Sequence, residues 1–232
     1  MDSLWFLLLS GMYICLMIWG VIIYRQDRSP GGLRYLLFVV TLGLVWDNAL
    51  LGTGAWIGES ALLKGLNFSR FWIHALFTPL LTMVSYDLII RAGSDWARTR
   101  VAAWGAWLFT AALIVYELVT ETLPLELKPM WEYGALSYAS ADEASGPPLM
   151  VLLILIPLLT AGIELWRHKV TQALFWGTLL MAIGSAISIP IESSAATNIF
   201  ELILTISLWI SIYKVSTFSK HSASTKESIS LR

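Results

Sequence analysis

Residues 35–56, YLLFVVTLGLVWDNALLGTGAW, form an apolar run long enough to cross a bilayer, yet Asp47 and Asn48 sit inside it. A carboxylate at that depth costs about 3 kcal/mol or more and marks a functional position by default. Asp47 lies 12 residues past Tyr35, so roughly 18 Å into the layer, just beyond its midplane. What retains it there is the question the rest of the chain has to answer.

The run is one of several. Comparable apolar stretches fall at 4–24, 71–91, 101–119, 149–166, 172–191 and 199–214. The first spans about 31 Å as a helix, the thickness of a hydrocarbon core. The pattern predicts an all-α integral membrane protein: a seven-helix transmembrane bundle over residues 1–216. A polar tail over 217–232, containing SKHSASTKESISLR, is expected to be disordered. Composition agrees, since 57% of the 232 residues are hydrophobic and only 13% are charged. Soluble domains carry about 25% charge. The net charge of −1 gives no reason to invoke nucleic acid, and the single cysteine, Cys15, allows no internal disulfide. Only Asp2 precedes the first run, with no basic region and no small-residue cleavage site, so a retained helix is expected. No internal repeat is visible.

Charge sets an expected orientation. Arg25, Arg28, Arg34, Arg91, Arg98, Arg100, Arg167, Lys169, Lys214, Lys220, Lys226 and Arg232 fall in the connections of one side. Lys64, Arg70 and Lys128 fall on the other, beside an acidic loop with Glu121, Glu126, Glu132, Asp142 and Glu143. The positive-inside rule then puts the N-terminus outside and the C-terminus in the cytoplasm, in the inner membrane if the chain is bacterial. The long loop 120–147 reads as a surface segment with interfacial aromatics, or as a lid.

On this frame Asp47, Asn48, His74, Glu117, Glu192, Asn198 and Glu201 all belong to the outer half. Each has a plain reading: Glu192 and Asn198 as loop or cap residues, Glu117 at headgroup depth, His74 as a hydrogen-bonded interior histidine. Asp87 and Glu164 lie by Arg91 and Arg167, where interfacial pairing accounts for them. Burial in apolar surroundings favours the neutral form of a carboxyl group, which then has a proton to deliver. The chain also holds 12 Trp, 8 Tyr and 9 Phe, whose ring faces attract cations, although most belong to interfacial belts. A protonated carboxyl above an aromatic-lined cavity suits protonation of an alkene or epoxide and control of the resulting carbocation.

The residues Trp46-Asp47-Asn48 with GAW at 54–56 resemble the signature of the small membrane-bound lycopene cyclases of bacteria, archaea and fungi. Those proteins also carry a Pro-x-Glu-Glu motif. Here IPIESS keeps Pro190 and Glu192, has Ser193 at the second glutamate, and lies far from the first motif. The chain is also similar to the seven-helix membrane terpene cyclases of fungal meroterpenoid pathways. In these a Trp-acidic pair in helix 2 and an acidic residue in the last helix are thought to carry catalysis, and Trp46-Asp47 and Glu201 look like that set. Residues 57–81 have no assignable counterpart in either group.

The resemblance implies an isoprenoid cyclase acting on a hydrophobic prenyl-type substrate drawn from the lipid bilayer, with no metal and no cofactor. Asp47 would be the general acid. Glu201, with Glu192 or His74, would orient it or take the final proton. Trp46, Trp56 and Trp72 would line the cavity, with Asn48, Glu117 and Asn198 contacting substrate. The alternative is a seven-helix small-molecule or lipid-binding protein, or a transporter using the carboxylates as a relay. A retinal pigment is disfavoured because the last helix has no mid-membrane lysine, Lys214 being at its inner end. A multi-histidine zinc site is disfavoured because His168 and His221 fall on the cytoplasmic side. Lipid phosphatase chemistry lacks the basic and second-histidine clusters it needs.

Overall fold

Leucine, isoleucine, valine and alanine fill the long runs, and a backbone surrounded by such side chains satisfies its polar groups internally as helix. The computed structural model describes residues 2–27, 31–141, 149–186, 193 and 195–230. Its helices are α1 (Asp2–Gln26), α2 (Leu37–Ile57), α3 (Ala61–Phe77), α4 (Leu81–Ala92), α5 (Arg100–Glu117), α6 (Leu149–Arg167), α7 (Ala173–Ala186) and α8 (Ala196–Ser230). Six paths are long and apolar enough to cross a membrane: Asp2–Gln26, Leu33–Ile57, Ala61–Ala92, Arg100–Thr122, Leu149–Arg167 and Ala196–Thr217. They mark a predominantly helical membrane protein. The remaining apolar helix, α7, is shorter, and the end expected for it at 191 lies outside the described residues, as does Glu192. Beyond Thr217 the helix α8 carries on to Ser230, through the stretch expected to be disordered.

One expected boundary moves substantially. The run placed at 71–91 begins ten residues earlier, because α3 starts at Ala61 with Ser60 as its N-cap, its Oγ accepting from Leu63 N at 3.1 Å. The segment ALLKGLNFSR is amphipathic and therefore weak as an apolar run, but its apolar face packs inward at Leu63. Pro79, in a short 3₁₀ turn over Thr78–Leu80, separates α3 from α4.

Between α5 and α6 the chain forms a β-hairpin, which the sequence pattern did not reveal. Strand β1 (Leu127–Glu132) pairs antiparallel with β2 (Ala135–Ser140), Glu132 opposite Ala135 and Leu127 opposite Ser140. Its two turn residues, Tyr133 and Gly134, both have positive φ, the geometry whose twist matches a tight hairpin. The hairpin is bound to the bundle on several sides. Leu136 and Tyr138 are buried with Leu63. Tyr133 O accepts from Asp2 N at 3.2 Å, Gly134 O from Ser3 Oγ at 2.9 Å, and Trp131 Nε1 donates to Glu59 Oε1 at 3.1 Å. A Cβ at Gly54 would lie 1.9 Å from Leu136 O, so only glycine lets α2 approach this strand.

The main core joins α1, α2, α4, α5, α6, α7 and α8 around Trp209, which is wholly buried and donates from Nε1 to Thr41 Oγ1 at 3.3 Å. At the end of the bundle that holds the α1–α2 connection, Arg34 is fully buried between Asp27 and Asp87. Asp87 Oδ2 also takes Arg91 Nε at 2.9 Å, and Asp27 Oδ2 accepts from Tyr35 at 2.6 Å and Ser216 at 3.0 Å. The pairing expected of Asp87 with Arg91 is thus one part of a network linking α1, α2, α4 and α8.

Candidate functional site

The opposite end of the bundle, beneath the hairpin, contains a cavity of about 330 Å³. Four helices supply its polar lining by helical spacing. From α2 comes the stripe Val40, Gly43, Leu44, Asp47 and Leu51, from α3 come Arg70 and His74, and Thr78 follows at the same spacing in the 3₁₀ turn. The end of α5 supplies Glu117 and, from the π-turn Leu118–Thr122 that follows, Glu121. The first turn and a half of α8 supply Asn198 and Glu201. Apolar walls come from Phe71, Ile73 and Phe77, while Leu125 and Ser140, at the two ends of the hairpin, border it. Asp47, His74, Glu117, Asn198 and Glu201, identified separately in the sequence, therefore line one space.

The residue that retains Asp47 in the bundle is Arg70. Its Nε donates to Asp47 Oδ1 at 2.7 Å and its Nη1 to Asn67 Oδ1 at 2.9 Å, with the arginine side chain 15% exposed and the aspartate 28%. Asn67 is itself fully buried and donates to Leu63 O at 2.8 Å, which fixes the fork that holds the guanidinium. Arg70 was expected in an outer connection. It lies inside α3, because the helix begins earlier than the apolar run. The missed signal is periodic: Asn67, Arg70, His74 and Thr78 recur at helical spacing through the beginning of that span.

The other polar residues differ in how firmly they are engaged. Asn48 is buried and bridges α2 to α8, accepting at Oδ1 from Asn198 Nδ2 at 3.1 Å while its own Nδ2 donates to Leu44 O at 3.0 Å. It is a strut behind the cavity and not part of its lining. His74 Nδ1 lies 3.3 Å from Thr78 Oγ1. Glu117 is buried, and its Oε2 has no hydrogen-bond partner among the described residues. Glu201 and His74 line the same cavity as the Asp47–Arg70 pair.

The tryptophans expected to line the cavity stand elsewhere. Trp46 projects to the exterior with Nε1 donating to Ser69 Oγ at 2.9 Å. Trp56 is 71% exposed, and Trp72 packs edge-on to Phe68. None of the three borders the cavity, whose aromatic surface is Phe71 and Phe77. Among the described residues no group of three His, Cys, Asp or Glu is arranged to hold a metal ion. No protein-family model matches the chain, and no curated protein matches it.

Proposed function

We propose that the chain is a multi-pass membrane enzyme of the isoprenoid cyclase type, with Glu201 as the general acid. The observation that carries this reading is Glu201 on the wall of a half-enclosed cavity in which the carboxylate of Asp47 is already committed to Arg70. Asp47 is engaged by the Arg70 guanidinium at 2.7 Å, which leaves Glu201 the better placed of the two to meet a substrate. This argues against the role first expected of Asp47. Glu201 has the converse position: a carboxyl inside the bundle, next to an existing ion pair, facing apolar space.

The chemistry balances as an isomerisation. The Glu201 proton adds to a terminal alkene carbon, or to an epoxide oxygen, and leaves a cation on the adjacent carbon. An internal double bond attacks that cation and closes the ring. Glu117 or His74 then removes a proton, so the product has the mass of the substrate. Phe71 and Phe77 supply aromatic rings to the wall, of the kind that attracts a cation. A volume of 330 Å³ lies at the lower end of the roughly 300–1,000 Å³ typical of small-molecule sites, room for the reacting end of a prenyl chain.

The orientation that accompanies this reading has the cavity and hairpin in the outer half, the Arg34 network at the cytoplasmic face, and α7 as a seventh crossing. The basic residues of the α1–α2, α4–α5 and α6–α7 connections support it. The test is to incubate membranes holding wild type, Glu201→Gln or Asp47→Asn with prenyl alkenes and epoxides and to look for cyclic isomers. Loss of a general acid costs about 10²–10⁴ in rate, so Glu201→Gln should be nearly inactive and Asp47→Asn impaired less. Equal turnover by Glu201→Gln and wild type would refute the assignment. A ligand bound and returned unchanged by wild type would make this a binding or transport protein.

A further inference from the structure

At the opposite end of the bundle from the cavity, the connection between α6 and α7 opens a surface groove of about 730 Å³ that the proposed reaction does not use. Its composition is specific. Arg167 and Lys169 supply two cations, Thr171 and Gln172 supply neutral polar groups, and Trp166 and Phe175 supply an aromatic wall. The rings are organised: Trp166 meets Phe175 edge-on at 5.0 Å between centroids, and Phe175 meets Trp176 likewise at 5.2 Å. Trp176 Nε1 lies 3.4 Å from Gln172 Oε1 across the start of α7.

The turn is built to present its cations. Lys169 has φ of +58°, a left-handed conformation that costs a residue with a Cβ about 1 kcal/mol or more where glycine would cost little. Its amide donates to Trp166 O at 2.9 Å, which closes the turn after α6. Arg167 is 72% exposed on its side chain and reaches Glu164 Oε1 at 3.2 Å, an exposed i,i+3 pair of the kind that contributes little. Glu164, the acidic neighbour of the groove, is buried and is also bonded by the Ser94 hydroxyl and paired with His168 Nε2 at 3.5 Å. Ser94 and His168 engage Glu164 on its buried side, and Arg167 and Lys169 stand exposed toward the groove, Arg167 held only by its surface pair.

The groove lies where a membrane-crossing helix ends, the depth of lipid headgroups, and it joins two cations to aromatic rings of the interfacial kind. We propose that it is a binding site for an anionic phospholipid, with the phosphodiester between Arg167 and Lys169 and the acyl chains along Trp166 and Phe175. A charged phosphate alone would leave the aromatic wall unused, and a zwitterionic lipid would bring a second cation toward Arg167 and Lys169.

The experiment is native mass spectrometry of the full-length protein released from micelles doped with phosphatidylglycerol or phosphatidylcholine, which reads lipid retained per protein. Wild type should retain phosphatidylglycerol in preference. Arg167→Gln combined with Lys169→Gln should lower that affinity roughly thirtyfold, from two charge contacts of about 1 kcal/mol each at tenfold per 1.4 kcal/mol, and leave phosphatidylcholine unchanged. Lys169→Gly removes one charge while relieving the left-handed backbone, so it keeps the fold and should show the loss of one contact. Equal retention of the two lipids by wild type, or undiminished phosphatidylglycerol binding by the double variant and by Lys169→Gly, would overturn the site. Displacement of the lipid by millimolar inorganic phosphate would also overturn it, since the groove would then be a site for free anions.

Discussion

Arg70 changes the meaning of Asp47. Taken alone, an aspartate within YLLFVVTLGLVWDNALLGTGAW reads as a buried acid, whereas beside a guanidinium at 2.7 Å it is one half of an ion pair. The sequence made Asp47, His74, Glu117, Asn198 and Glu201 legible because each is a polar group in an apolar stretch. It hid Arg70, because a cation near the end of an expected helix is indistinguishable from an interfacial one until the true helix start is known. Removing the cation should therefore hurt more than neutralising its partner. Arg70→Met is expected to cost about 2 kcal/mol of stability and Asp47→Asn less, with the double variant cheaper than the sum of the two. Thermal unfolding in detergent measures this cycle, and strictly additive losses would show that the two side chains do not depend on one another.

The elements divide into those with a period and those with a context. The long helices follow from apolar length alone, which is why α1, α2, α5 and α6 fall near their expected places. The hairpin does not, since neither strand is apolar enough to declare itself and its stability comes from what it touches. Leu136 and Tyr138 bury against Leu63, and the strand lies on Gly54. Gly54→Ala should displace the hairpin from α2 and destabilise by about 1–3 kcal/mol, as overpacking of a close contact does. Limited proteolysis across 127–140 should cut the variant faster than wild type; unchanged cleavage would mean that this contact does not hold the hairpin down. The π-turn after α5, which carries Glu121, belongs to the same class: a local widening invisible in the pattern.

Over the whole molecule, polar chemistry is divided between the two ends and the middle is closed by the core around Trp209. The Arg34 network holds one end as a lock on four helices. Arg34→Leu would leave the carboxylates of Asp27 and Asp87 without the cation they share, at a cost of about 3–5 kcal/mol read by unfolding, whereas a loss below 1 kcal/mol would make the network dispensable. Sidedness has its own test in a Cys15→Ser background. An impermeant maleimide should label Glu132→Cys in intact cells, and Arg98→Cys only after permeabilisation; the reverse would invert the bundle.

The central claim is that a proton held at Glu201 starts ring closure in the hairpin-end cavity. Wild-type protein supplied with a prenyl alkene in deuterium oxide tests it most directly, by mass spectrometry of the recovered product. Wild type should form a cyclic product carrying one deuterium at the protonated terminal carbon, and Glu201→Gln should form none. A cyclic product without deuterium, or one formed equally by Glu201→Gln, would contradict it.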